Sequence, residues 1–162
     1  MLWCFERVFI PAPAGRKRFN VLGALHAITH ELVTVTNDTY INAASVCELL
    51  RRLAALELGV PITLVLDNAR YQKCYMVQAL AAALQIELLY LPPYSPNLNL
   101  IERLWKFVKK KCLYSTYYGN FNDLKRAISA CLAQTQTIYK PELDNWLTLR
   151  FQTFKKSQLV AQ

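Results

Sequence analysis

Apolar and polar positions follow two different periods along this chain, and each change of period marks the passage from a strand to a helix or back. Residues 2–10 form an apolar, strand-like stretch that begins at the first position, ahead of the loop Pro11-Ala12-Pro13-Ala14-Gly15-Arg16-Lys17. Residues 19–28 are rich in apolar side chains and residues 31–36 alternate through Val33 and Val35, which predicts two strands joined by a short polar connection. Asn42 is placed to cap a helix in which Val46, Leu49, Leu50, Leu53 and Leu56 recur at helical spacing until Gly59 stops it. Ile62-Thr63-Leu64-Val65-Leu66 is a near-continuous β-prone run, the pattern of a strand buried on both faces in a parallel sheet. It gives out abruptly at Asp67-Asn68.

Residues 75–84, rich in Ala and Leu, predict a helix, and residues 86–91 another short strand. Pro92-Pro93-Tyr94-Ser95-Pro96 then fixes an extended loop, because each Pro locks its own φ and restrains the residue before it. Helices are expected over residues 98–112 and 121–135, the second opened by Asn120 and Asn122. A weaker helix follows from Pro141, with Trp146 tucked against the body. Strands alternating with helices argue for an α/β fold with a partly parallel sheet. With 162 residues, 54% of them hydrophobic, the chain can bury one core, and residues 1–162 read as one domain without internal repeats.

Charge adds a partner to this picture. Nineteen Lys and Arg against eleven Asp and Glu leave a formal +8, an excess that suits a polyanion and nucleic acid above others. Five scattered cysteines, Cys4, Cys47, Cys74, Cys112 and Cys131, contain no C-x-x-C pair and fit a reducing cytoplasm better than a zinc site or a disulfide framework. Glu6 and Arg7 interrupt the opening apolar run before it becomes a signal peptide, and no segment reaches the ~18 apolar residues of a membrane span. A cytoplasmic, nucleoid-associated location with no membrane partner is expected.

Two carboxylates stand out by position. Asp67 follows a buried strand, and the carboxyl ends of strands in open α/β sheets gather ligands and catalytic groups, although an Asx turn or a helix cap also places Asp there. Glu102 falls in the first turns of a helix, where the dipole alone favours it. At 100° per residue, Ile101, Trp105, Val108 and Cys112 share one apolar face, while Glu102, Arg103, Lys106, Lys109 and Lys110 share another. An acid within a basic stripe fits a metal-dependent enzyme acting on a phosphodiester, with carboxylates for the cation and basic groups for flanking phosphates. A solvated face with Glu102 paired to Lys106 has the same composition, and these residues alone do not choose.

The surrounding words add a resemblance. Leu66-Asp67-Asn68-Ala69-Arg70, then Leu91-Pro92-Pro93-Tyr94-Ser95-Pro96-Asn97-Leu98-Asn99-Leu100-Ile101-Glu102-Arg103-Leu104-Trp105, with 34 residues between the two acids, resembles the DDE transposases of the IS630/Tc1/mariner superfamily, bacterial IS630 type. Phe19-Asn20-Val21-Leu22-Gly23-Ala24-Leu25 is similar to the strand that follows the first catalytic strand in those proteins. The resemblance implies an RNase H-like mixed sheet of the retroviral-integrase type, flanked by helices. It matches Asp67 to the second acidic residue of the triad and Glu102 to the third. The family often has Asp at Asn97, Pro at Leu100 and His at Gln72. The first Asp belongs on a strand upstream of the segment resembling residues 2–7, so that strand and the helix-turn-helix region are expected to be missing here, leaving an N-terminally truncated catalytic domain. Glu6, Glu31 and Asp38 do not sit in the strand context the first Asp requires.

By resemblance, three carboxylates hold two Mg²⁺ or Mn²⁺ ions about 3.5–4 Å apart for in-line phosphoryl transfer at DNA ends, with insertion at TA dinucleotides. Asp67 and Glu102 are thus the expected catalytic and metal-binding residues, Arg103, Lys106, Lys109 and Lys110 the expected DNA contacts, and a homo-oligomer is compatible with both. With the first Asp missing, catalysis by the chain alone is not expected. Two classes of function follow: a DNA-strand-transferring enzyme completed by upstream sequence, or a non-catalytic remnant that binds DNA or the intact transposase. The other chemistry-bearing side chains point to ordinary roles. His26 and His30 have i,i+4 spacing but fall in strand and turn, and Tyr114, Tyr117 and Tyr118 suit packing better than base stacking. Lys155-Lys156 is either solvated or against the DNA backbone.

Overall fold

A computed structural model of the chain describes residues 17–92, 98–114 and 116–151. Strands β1 (Asn20–Leu25) and β2 (Leu32–Asn37) form an antiparallel hairpin in the register Asn20↔Asn37 to Leu25↔Leu32. The first strand is shorter than its apolar composition predicts because His26 turns the chain. Its Nδ1 accepts from the backbone N–H groups of Ile28 (3.2 Å) and Thr29 (3.0 Å), and the turn closes through His30 at φ 62°. The register sends Leu22, Ala24, Val33 and Val35 to one side of the hairpin, and Gly23, Leu25 and Leu32 to the other.

Helix α1 (Ala43–Ala54) covers the first side. Asn42 caps it as expected: its side chain accepts from the Ser45 backbone N–H at 3.2 Å, and the Ser45 hydroxyl returns the bond to the Asn42 N–H. Val46, Leu49, Leu50 and Leu53 are buried, but Leu56 lies past the helix end and is half exposed. The helix stops earlier than Gly59 alone would dictate, because Glu57 (φ 45°) already turns left-handed before Gly59 (φ 67°).

Strands β3 (Ile62–Leu66) and β4 (Ile86–Tyr90) are parallel, in the register Ile62↔Ile86 to Leu66↔Tyr90, and helix α2 (Tyr75–Ala83) makes the crossover. The expectation that residues 62–66 are buried on both faces is overturned. Ile62, Leu64, Ile86 and Leu88 pack toward α1 and α2, whereas the cross-strand partners Val65 and Leu89 remain 42% and 52% exposed. Helices of this βαβ unit cover one face only, and the helices that follow pack elsewhere. Among the described residues the two ladders stay separate two-stranded sheets, with no pairing between β1 and β3. Residues 2–10, read as a strand, lie outside the described residues.

Helices α3 (Leu100–Cys112), α4 (Phe121–Ala133) and α5 (Lys140–Trp146) build a second core on the far side of the hairpin. Gly23 admits α3 here: a Cβ at this position would stand 3.1 Å from Ile101 Cδ1 and from Trp105 Cη2. The buried arc of α3 is wider than the predicted face, taking in Leu100, Leu104 and Phe107 as well as Val108 and Cys112, with Ile101 and Trp105 half-buried. Asn120 caps α4, its side chain accepting from the Asp123 N–H at 2.9 Å. Trp146 does tuck inward, its ring meeting Phe107 edge-on at 5.8 Å beside the buried Leu143 and Leu147. The result is a hairpin between α1 on one face and α3 with α5 on the other, joined through α1 to the parallel unit.

Candidate active site

Asp67 is the first residue past β3. The ladder runs on for one more bond beside it, from the Leu91 N–H to the Leu66 carbonyl at 2.8 Å. Because β3 and β4 are parallel, the chain that leads on to α3 leaves from the same end of the ladder that carries Asp67. The Asp67 side chain is exposed but not loose. The amide of Gln72, itself 3% exposed, donates to Asp67 Oδ1 at 2.6 Å, while Gln72 Oε1 accepts from the Ala69 N–H at 3.1 Å. Tyr90 fixes that support from below, its hydroxyl donating to the Gln72 carbonyl at 3.0 Å. Burial first, and the Asp67 carboxylate second, push the neighbouring Tyr71 hydroxyl above its ordinary value. Gln72 was visible in the sequence only as a departure from the family's words; nothing in its spacing revealed that it holds Asp67.

Glu102 lies in the first turn of α3, half-buried, with Asn99 accepting from its backbone N–H at 3.2 Å. Among the described residues its carboxylate makes no ion pair, and the i,i+4 partner Lys106 is exposed. No group of three His, Cys, Asp or Glu side chains gathers among the described residues. Two carboxylates are the hard oxygen donors a small divalent cation takes, yet two are too few to fill a two-ion site. Residues 93–97, the Pro-Tyr-Ser-Pro stretch between β4 and α3, lie outside the described residues.

The basic stripe divides in two. The Arg103 guanidinium donates to the carbonyls of Thr148 (2.5 Å) and Arg150 (3.0 Å) and lies 5.1 Å from the Phe151 ring, so its fork clamps the segment after α5. Lys110 rests over the Trp146 ring at 5.2 Å, while Lys106 and Lys109 are exposed along the helix. Of the other acids, Glu31 accepts from the Thr29 hydroxyl at 3.1 Å in the hairpin turn, and Asp38 lies 2.6 Å from Lys125 Nζ. Glu6 and Lys155-Lys156 lie outside the described residues. His30 Nδ1 is 2.7 Å from Asp144 Oδ1, and the Nδ1 of His26 accepts within the hairpin turn. The Tyr118 hydroxyl donates to the Cys112 carbonyl at 2.6 Å, and Tyr114 and Tyr117 are exposed. Cys47, Cys74, Cys112 and Cys131 are free thiols.

Residues 6–125, including both acids, match the family described as DDE superfamily endonuclease. The chain belongs to that family. It is 30% identical over 98 residues to an uncharacterized 39 kDa protein of insertion element IS630 from Shigella sonnei, an alignment covering 60% of this chain and 29% of that protein. It is 28% identical over 83 residues to an uncharacterized protein of Sinorhizobium fredii, covering 51% of this chain and 58% of the relative. The matched region thus spans less than two thirds of either relative. Among solved structures, this DDE endonuclease chain resembles the catalytic core domain of BIV integrase (TM-score 0.55, 16% identity, covering 83% of this chain and 90% of that one). It also resembles a chain of the simian T-cell lymphotropic virus intasome determined in complex with PP2A regulatory subunit B56 gamma (TM-score 0.55, 16% identity, covering 75% and 43%). The fold is therefore RNase H-like, as the family resemblance implied.

Proposed function

We propose that this chain serves DNA transposition, contributing Asp67 and Glu102 to a metal-dependent phosphoryl-transfer site that cuts and joins transposon ends. The observation that carries this is the setting of Asp67: a carboxylate at the carboxyl end of a parallel ladder, oriented by the buried amide of Gln72, within a family match that also contains Glu102. Divalent Mg²⁺ or Mn²⁺, when bound, would neutralise charge at the scissile phosphate and make water, or a DNA 3′-hydroxyl, nucleophilic at neutral pH. Gln72 leaves Asp67 Oδ2 unengaged among the described residues and so presents one carboxylate oxygen in a fixed direction. Glu102 brings a second carboxylate on a helix anchored by its own buried face. Lys106 and Lys109 extend along the same helix, where phosphates flanking the reacting bond would lie. Two carboxylates are fewer than a two-ion site takes, so Asp67 and Glu102 by themselves hold one cation weakly and do not support cleavage. Its working place is the cytoplasm beside the nucleoid; among the described residues no helix is long and apolar enough to cross a membrane.

Mn²⁺ titration followed by electron paramagnetic resonance tests the site, with labelled transposon-end DNA as the activity arm. The expected result is one weak Mn²⁺ site, abolished by Asp67→Asn and by Glu102→Gln, and no strand cleavage by the chain alone. Mn²⁺ binding indifferent to both substitutions would remove the shared site. Cleavage that disappears in Asp67→Asn would overturn the reading that these two carboxylates do not suffice.

A further inference from the structure

A second basic surface lies where the open end of the hairpin meets the start of α4. Lys17 and Arg18 lead into β1, Asp38 and Tyr40 follow β2, and Phe121 and Lys125 begin α4; these six line a cleft of about 780 Å³. Three cations share it with one acid. Each cation is laid over a ring: Lys17 Nζ stands 5.9 Å from the Phe121 centroid, Arg18 Cζ 5.1 Å from Tyr40, and Lys125 Nζ 5.4 Å from Phe19. Asp38 touches Lys125 at 2.6 Å, but its side chain is 54% exposed, so the pair is a solvated one that another anion can replace at little cost. Tyr40 remains 66% exposed despite its size.

The combination discriminates between ligands. Binding duplex phosphates calls for no exposed aromatic face, and rings recruited for core packing would be buried. Clustered cations beside an exposed ring, here Tyr40, form the pattern that receives unpaired nucleic acid, with phosphate on the cation and base on the ring. The cleft also has the size of a site for a nucleotide-scale ligand. Resting on the transposition function above, we propose that this cleft holds an unpaired stretch of the DNA substrate. One phosphate lies against Lys17, Arg18 and Lys125 in place of Asp38, and the adjoining base stacks on the Tyr40–Arg18 pair. An acidic peptide would satisfy the cations and leave the stack unused.

Fluorescence anisotropy with a short labelled single strand, and with a duplex of equal length, tests this at two salt concentrations. Tyr40→Ala is expected to weaken single-strand binding about tenfold, with duplex binding little changed and Tyr40→Phe restoring it. Lys17→Ala combined with Arg18→Ala should weaken single-strand binding and lower the salt slope by about 0.7 for each phosphate left without its cation, and Asp38→Asn should tighten it. Single-strand affinity unchanged by Tyr40→Ala, or equal displacement by polyglutamate and by unlabelled strand, overturns the proposal. Asp67→Asn forms a separate arm: binding in the cleft is expected to survive it whether or not Asp67 and Glu102 hold a cation. The cleft and the metal site therefore stand or fall independently.

Discussion

Gln72 shows how a single buried amide fixes the direction of an exposed carboxylate. An Asp at a strand end in water has several rotamers, and ordering it costs free energy that must be recovered elsewhere. Here the amide donates to Asp67 and accepts from the Ala69 N–H, so both halves are satisfied and the 3% exposed side chain cannot swing away. Gln72→Leu fills a similar volume but leaves both partners unserved. It is expected to destabilise the fold by about 1–3 kcal/mol, measured by urea denaturation, and to weaken Mn²⁺ binding several-fold. Full retention of Mn²⁺ affinity would reduce Gln72 to a packing residue. The position of Asp67 was legible from the strand that ends before it. Its orienting partner was not, since a Gln five residues on has no periodic or compositional signature.

Cys131 carries a second consequence at the same scale. Burial, reinforced by the neighbouring Cys112, pushes its thiol up to about 12 from an ordinary value of 9.0. The folded state therefore holds its proton more tightly than the unfolded one. The stabilisation is complete below pH 9 and is lost progressively as pH rises from 9 toward 12. Urea midpoints at pH 8, 9.5 and 10.5 should fall, and Cys131→Ala should lose less over that interval even though its starting stability is lower. Parallel declines in the two proteins would show that other groups govern alkaline unfolding.

At the level of elements, helix α3 has a wider apolar face than its spacing predicts, and its charged face divides between exposed Lys106 and Lys109 and an Arg103 turned to the segment after α5. Helical spacing identified Val108 and Cys112, but Leu104 and Phe107, both 0% exposed, lie on an adjoining row that faces α5. A wheel drawn for one contact misses a helix wedged between a hairpin and another helix. The strand 62–66 departs the other way: its near-continuous β-prone run predicts two covered faces, whereas Val65 and its partner Leu89 are exposed. Composition records hydrophobicity and not which later helix comes to rest on it. The contact of β1 with α3 depends on Gly23, whose missing Cβ leaves room for Ile101 and Trp105. Gly23→Ala needs those side chains to give by a few tenths of an ångström and should cost about 1 kcal/mol, and Gly23→Val about 2–3 kcal/mol, as read from thermal melts. Equal melting of Gly23→Val and the parent chain would show that α3 is not seated on that strand.

For the whole molecule, the family's words revealed more than periodicity did. Alternating strands and helices indicated an α/β architecture. Only the stretch running from Leu66 through Trp105 specified an RNase H-like sheet and joined two distant acids into one expectation. Where the +8 net charge is concentrated could not be foreseen, because Lys17, Arg18 and Lys125 lie far apart in sequence and meet only when β1 is set beside α4. Duplex binding should therefore depend on salt through the exposed lysines and not through every cation of α3. Lys106→Ala with Lys109→Ala is expected to lower the slope of log K against log salt by up to about 2, near 0.9 for each phosphate that the pair neutralises. Arg103→Ala should leave the slope close to that of the parent chain, because its guanidinium already serves the carbonyls of Thr148 and Arg150. What Arg103→Ala should change is stability, by about 1–3 kcal/mol, together with faster proteolysis after Trp146. A reduced salt slope in Arg103→Ala with unaltered stability would mean that the clamp opens in solution and the guanidinium meets phosphate after all.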